Sequence, residues 1–210
     1  MEFSSLTLLL GSTLTIGVLH ALAPDHWVPF VSIGRAQKWS KPKLAMITFV
    51  SGIGHVGSSI VIGAAGLLLG FGLSRIEGLE SQRGQVAGLL LIGFGLAYAL
   101  WGIKHARKHR HEQIDPKKAV TVWTMIAIFV LGPCEPLIPL MFVAAAFGWH
   151  AVFLVTLLFS IVTLMMMVSQ ALLGYIGVGF LPSHKYEHYS HTIAGAVIAL
   201  TGGMVMILGI

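Results

Sequence analysis

Charge is what this sequence has least of. Only 10% of its 210 residues are Asp, Glu, Lys or Arg, against about one quarter in an average soluble domain. So few charges cannot cover a water-facing surface of this size, which excludes a soluble enzyme and a disordered chain alike. Cysteine is nearly absent too. Cys134 stands alone, so an intrachain disulfide framework and a two-thiol relay within one chain are both excluded. No phosphate-cradling glycine loop is present, so this chain hydrolyses no nucleotide itself. What it has in quantity is apolar residues, at 56%, and 25 glycines, with a mean hydropathy of +0.86. That composition describes an all-α polytopic membrane protein whose environment is the lipid bilayer. The net charge of +5 and pI near 9.6 then read as an asymmetry of the loops, not as nucleic-acid binding.

A spanning helix needs about 20 apolar residues. Six stretches qualify, at 5–33, 44–72, 84–104, 119–147, 150–181 and 191–210, and apart from Lys104 at the end of the third none of them contains Lys or Arg. The first connection holds Arg35, Lys38, Lys41 and Lys43. The third holds Lys104, Arg107, Lys108, Arg110, Lys117 and Lys118, and the fifth holds Lys185. Against these, the second holds Arg75 and Arg83 and the fourth holds neither residue type. The positive-inside rule places the odd connections in the cytoplasm and both termini outside a cell inner membrane. Ala21-Leu22-Ala23 imitates a signal-peptidase site, but the segment before it carries Glu2 and no basic residue, so cleavage is not expected.

The chain repeats itself. At a shift of 110 residues Asp25 falls on Glu135, Pro29 on Pro139 and His55 on Met165. At 107, Ala87-Gly88 falls on Ala194-Gly195, Gly95 on Gly202 and Gly102 on Gly209. The expected organisation is a first three-helix repeat over 1–106, a cytoplasmic connection rich in His, Lys and Arg over 107–118, and a second three-helix repeat over 119–210. An odd number of spans per copy makes the repeats inverted, and in transporters such repeats place a site at the membrane midplane.

The two matched acids, Asp25 and Glu135, carry the chemistry of this reading. An ionised carboxylate in a bilayer costs several kcal/mol unless it is paired, so a cation or a proton is the expected partner. Prolines flank both acids. Each removes the hydrogen bond to the carbonyl four residues earlier: Pro24 frees His20, Pro29 frees Asp25, Pro136 frees Gly132 and Pro139 frees Glu135. The first and fourth spans are therefore expected to break there. On a straight helix His20 would face about 140° from Asp25 and about 120° from His26. A break at Pro24 lets the three converge. His55, in the glycine-rich run Gly52-Ile53-Gly54-His55-Val56-Gly57, is expected to join them from the second span. Imidazole and carboxylate together suit Ni, Co, Zn or Fe. Cys134, beside Glu135, would add a soft donor as thiolate, or simply pack as a small apolar residue. Met165-Met166-Met167 reads as core, and Ser169 and Gln170 as groups that bond across helices or line the pathway.

His20-x4-Asp25-His26 on the first span, followed by Gly54-His55 on the second, resembles the signatures of the nickel/cobalt transporter family. The six-span length and the His-rich third connection look more like its exporter-type branch, within the lysine-exporter-like superfamily. Leu131-Gly132-Pro133-Cys134-Glu135-Pro136 departs from the acidic, threonine-rich motif of the nickel/cobalt permeases. It is closer to the Pro-Cys element of the cytochrome c biogenesis membrane proteins in the same superfamily. The resemblance implies metal transport, with its specific motifs confined to residues 20–57.

The expected function is a non-enzymatic secondary transporter that moves a divalent transition-metal ion as substrate, uses no nucleotide and exchanges protons at the site. Its metal-ligating residues would be His20, Asp25, His26, His55, Glu135 and Cys134. The sequence leaves room for a homo-oligomer. The first alternative is an intramembrane thiol-redox or assembly module built on Cys134. A membrane metalloenzyme and an anion or small-solute exporter are the others. Two histidine clusters lie on the cytoplasmic side. His105, His109 and His111 sit among cations, as a leaflet anchor would. His184, His188 and His191 read as a capture or sensor site and favour export.

Overall fold

The computed structural model describes residues 2–108, 122–132, 134–179 and 189–208. Among them every regular element is helical. Four helices are long and apolar enough to cross a membrane: α3 (Lys41–Leu68), α4 (Leu73–Lys108), α7 (Trp149–Val178) and α8 (Ser190–Leu208). A fifth crossing is available if α1 (Glu2–Ala21) and α2 (Val28–Ala36) act as one bent span. The chain is a multi-pass membrane protein. The last two helices, α5 (Val122–Leu131) and α6 (Leu137–Ala145), have 10 and 9 residues. At about 1.5 Å per residue neither reaches across a bilayer core of about 30 Å alone.

Proline dictates both interruptions. Pro24 has no N–H, so the His20 carbonyl accepts instead from Ala23 N at 3.1 Å, and the helix tightens into a 3₁₀ turn over Pro24–His26. The exposed carbonyls of this stretch find partners. The Gln170 amide donates to Ala21 at 3.1 Å and the Trp27 indole to Leu22 at 3.4 Å. The axes of the two segments differ by 73°. In the second interruption α5 makes its last turn with Gly132 N on the Ile128 carbonyl at 2.9 Å, and α6 opens with Leu137 N on Cys134 O at 3.1 Å. Pro136 leaves the Gly132 carbonyl without a helical donor, and the guanidinium of Arg83 takes it at 3.4 Å, with Val130 O at 2.9 Å.

One expectation about charge is corrected here. The expected third span, 84–104, leaves Arg83 outside it. The helix instead begins at Leu73, so Arg75, Glu77, Glu80 and Arg83 are helical and continue the apolar stretch at its N-terminal end. Glu80 is buried, at 2% exposure, and ion-pairs with Arg83 one turn on. A pair spaced i, i+3 shares a helix face and can enter a span together where a lone charge could not.

Helix pairing follows glycine. The α4 and α8 helices run antiparallel with their backbones nearly touching. A Cβ on Gly95 would lie 2.4 Å from Ala199 N, and one on Gly195 would lie 2.3 Å from Ala99 N. On α3, Gly52 meets Leu164 and Met167 of α7, whereas Gly54 meets Val130 of α5. The α1 helix packs on α7, and α5 on α3; α2 also packs on α7, and α6 on α3. Two apolar clusters result. One joins Phe30, Phe129, Leu91 and Ile198; the other joins Val56, Leu137, Val155 and Phe159. Large apolar side chains also face outward on every long helix, Leu68, Leu100, Phe153 and Ile207 among them, as lipid contact requires.

Candidate metal centre

The site lies between the two clusters, where both interruptions meet α3. His20 ends α1 and faces Phe159 with ring centroids 5.9 Å apart. His55 projects from the middle of α3 and faces Phe129 at 6.3 Å. His26 comes from the 3₁₀ turn, edge-on to both other rings at 4.4 and 5.0 Å. Cys134 enters from the second interruption and is fully buried. One ligating atom each from His20, His55 and Cys134 lies within 4.8 Å of the other two. His20 Nε2 is 3.1 Å from His26 Nε2 and 3.5 Å from Cys134 Sγ. Bond lengths of about 2.0–2.3 Å to a four-coordinate ion give ligand–ligand edges of about 3.3–3.7 Å. The separation of sulfur from His20 is of that size, and the His20–His26 nitrogen pair is slightly closer, at hydrogen-bond distance.

The carboxylates take different positions from the histidines. Asp25 Oδ1 accepts from His26 Nδ1 at 2.9 Å. With the proton held on Nδ1, the lone pair of His26 Nε2 is the acceptor that meets His20. A carboxylate behind an imidazole is the arrangement that orients a metal-ligating histidine. Asp25 thus stands one step behind His26, and it also lines the cavity of about 360 Å³ onto which His20, His55 and Glu135 open. Glu135 is exposed and belongs to the wall of that cavity, outside the close group of His20, His55 and Cys134.

His55 is the anomaly that gives the site its chemical meaning. At 3% exposure, neither of its ring nitrogens has a hydrogen-bond partner. The Phe129 carbonyl comes near without completing a bond. Nearly all buried polar groups in folded proteins are satisfied, and an orphan costs about 1–3 kcal/mol. An imidazole with both nitrogens buried and free has a lone pair available to a ligand that enters the cavity.

Other expectations land elsewhere. Met165, matched to His55 at the 110-residue shift, is 65% exposed and points away from the site, whereas Met167 is core. Gln170 bonds across helices, as its chemistry suggested. His191 is corrected: it is not an open capture group but a buried side chain, with Nδ1 2.7 Å from the Tyr98 hydroxyl and its ring against Trp101. His109, His111, His184 and His188 lie outside the described residues, and nothing is described of the His105 side chain.

Sequence reasoning missed Glu80, Arg83, Ser58 and Ser59. Ser59 Oγ accepts from Cys134 N at 3.0 Å and donates to Glu80 Oε2 at 3.0 Å. Arg83 Nη2 donates to Ser58 Oγ at 2.7 Å, and that hydroxyl donates to the His55 carbonyl at 2.9 Å. The signal was present as Glu80-x-x-Arg83 directly before an apolar run, with a Ser58-Ser59 pair one turn after His55. Comparison of the chain with protein-family models, with curated proteins and with solved structures returns no match.

Proposed function

We propose that this chain is a secondary transporter whose cavity binds and passes a divalent transition-metal ion of the nickel, cobalt, zinc or iron class. The observation that carries the reading is the convergence of His20, His26, His55 and Cys134 from three separate parts of the fold, beside a cavity lined by His20, Asp25, His55 and Glu135, with both nitrogens of a buried His55 unpartnered. Three imidazoles and a thiol form a borderline-to-soft donor set, one that disfavours Mg²⁺ and Ca²⁺, which seek oxygen. Asp25 sets the orientation of His26, and Glu135 offers a carboxylate at the wall through which an ion would pass.

The transporter architecture is part of the same proposal. Six crossings in two inverted halves would require α5 and α6 to act together as one broken span, and α1 and α2 as another. The packing pattern supports this. The short helices α2 and α6 depart from a strict exchange, α2 packing more on α8 than on α7 and α6 more on α7 than on α3, but α1 lies on α7, its counterpart α5 lies on α3, and α4 pairs with its own counterpart α8. That reciprocal exchange is what a two-fold relation between the halves produces. Protons that leave the histidines and the thiol on binding provide the coupling, with the odd connections and the cytoplasm on one side of a cell membrane.

Elemental analysis of the purified protein tests the reading. After incubation with equimolar Ni²⁺, Co²⁺ and Zn²⁺ and removal of free ions, the wild-type chain should retain close to one transition-metal ion. Asp25→Asn should lower affinity by about 10- to 100-fold, as loss of a supporting carboxylate does. Metal content no higher in the wild type than in a His20→Ala, His55→Ala double variant would contradict it. Cys134→Ser separates the thiol-redox alternative: lost activity with undiminished metal content would favour that alternative.

A further inference from the structure

We propose that Ser59, Glu80 and Arg83 form a clamp that holds Cys134 against His20 and so makes sulfur one of the donors, with His20 and His55, beside the cavity. The proposal rests on the metal reading of that cavity and adds what determines its donor set. A buried ion pair contributes little net stability compared with an apolar pair of the same size, so the Glu80–Arg83 pair calls for another reason. Its position supplies one. Arg83 reaches the carbonyls of Val130 and Gly132 at the C-terminal end of α5, where the helix dipole favours a cation. Glu80 holds Ser59, and Ser59 holds the backbone N–H of Cys134 itself. Through Ser58 the same guanidinium is tied to the backbone carbonyl of His55. One side chain thus joins the strand of chain that presents Cys134 to the helix that presents His55.

Within the interruption the backbone of Cys134 is held locally only through its carbonyl, which accepts from Leu137 N at 3.1 Å; its N–H is held by Ser59. Its Sγ lies 3.5 Å from His20 Nε2, and a shift of about 1 Å in the supporting shell is enough to take a donor out of ligating range. Arginine suits the task because its planar fork serves a carboxylate and several carbonyls at once; a lysine could neutralise Glu80 without spanning the rest. If the network only closed a gap in the fold, the sulfur would gain no special position from it.

The test uses the full chain in detergent, where Cys134 is the single thiol, so that N-ethylmaleimide reports on one residue. Arg83→Gln and Ser59→Ala should each raise its alkylation rate about tenfold or more, because a buried thiol reacts through local opening; Arg83→Lys should fall between them and wild type. Co²⁺ alone is the second probe. Wild type should show a near-ultraviolet sulfur-to-cobalt charge-transfer band, and Arg83→Gln and Ser59→Ala should keep cobalt on the histidines while losing the band. Ser59→Ala removes one hydroxyl and decides the matter even if Arg83→Gln does not fold. Unchanged alkylation in Ser59→Ala, or a full-strength sulfur band there, overturns the clamp. Cobalt bound by wild type without a sulfur band also overturns it and leaves the metal reading standing. A wild type that takes up no Co²⁺ overturns the metal reading and the donor role of sulfur with it, while the alkylation rates still judge the clamp.

Discussion

His55 is held in its place at a cost. A buried imidazole without a hydrogen-bond partner destabilises the fold, and replacing it by an apolar side chain of similar size removes that penalty. His55→Leu should therefore leave thermal stability in detergent unchanged or raise it by about 1 kcal/mol, while abolishing metal retention. A fall of several kcal/mol in stability would instead make His55 a structural residue. The same contrast explains what was legible at this scale. His20, Asp25, His26 and His55 stood out because each is a polar residue in an apolar run; the structure brings His20, Asp25 and His55 to one cavity and sets His26 against His20 and Asp25 beside it. Their division of labour was not legible. That Asp25 would support His26, and that Glu135 would lie on the wall while Cys134 entered the close group, depends on how two separate interruptions meet, and no local pattern encodes this.

Elements were read well where a local rule governed them. Proline ends a helix by removing a donor, and so both interruptions lie where Pro24 and Pro136 predicted. The start of α4 escapes a rule that reads charge as the mark of a loop. Glu80 and Arg83 neutralise one another across one helical turn, which lets the helix begin at Leu73 instead of near residue 84. The partner of α4 was foreshadowed only as a repeat of glycines, although the reason for them is plain in the fold. The backbones of α4 and α8 approach so closely that a Cβ at Gly95 would collide with Ala199. Backbone cannot move aside as a side-chain tip can. Gly95→Leu should separate the pair and destabilise the protein by about 3 kcal/mol or more. Gly93, on the same helix with open space beside it, should accept Ala and gain up to about 1 kcal/mol of helix propensity. Thermal unfolding of both variants in one detergent checks the contrast.

At the scale of the whole molecule, composition was enough to establish a helical membrane protein, because the outward faces of the long helices are as apolar as the core. The cavity lies where the two interruptions abut three long helices, α3, α4 and α8, and a membrane protein tolerates irregular backbone only where protein or a polar cavity surrounds it. The arrangement is costly to fold: freed carbonyls need Arg83 and Gln170, a buried acid needs a cation, and His55 goes unpaired. A site for a cation accounts for these features together. Flux through the protein in sealed vesicles measures that account most directly. Proteoliposomes of the purified chain, loaded with a metal-sensitive dye and challenged with Ni²⁺, Co²⁺ or Zn²⁺ at pH 7.5, should fill faster than protein-free vesicles. Filling should slow as the outside pH falls and imidazoles take up protons, and it should drop about tenfold or more in His20→Ala and His55→Leu. Filling by either variant at the wild-type rate, for every ion tried, would contradict a metal path through these histidines.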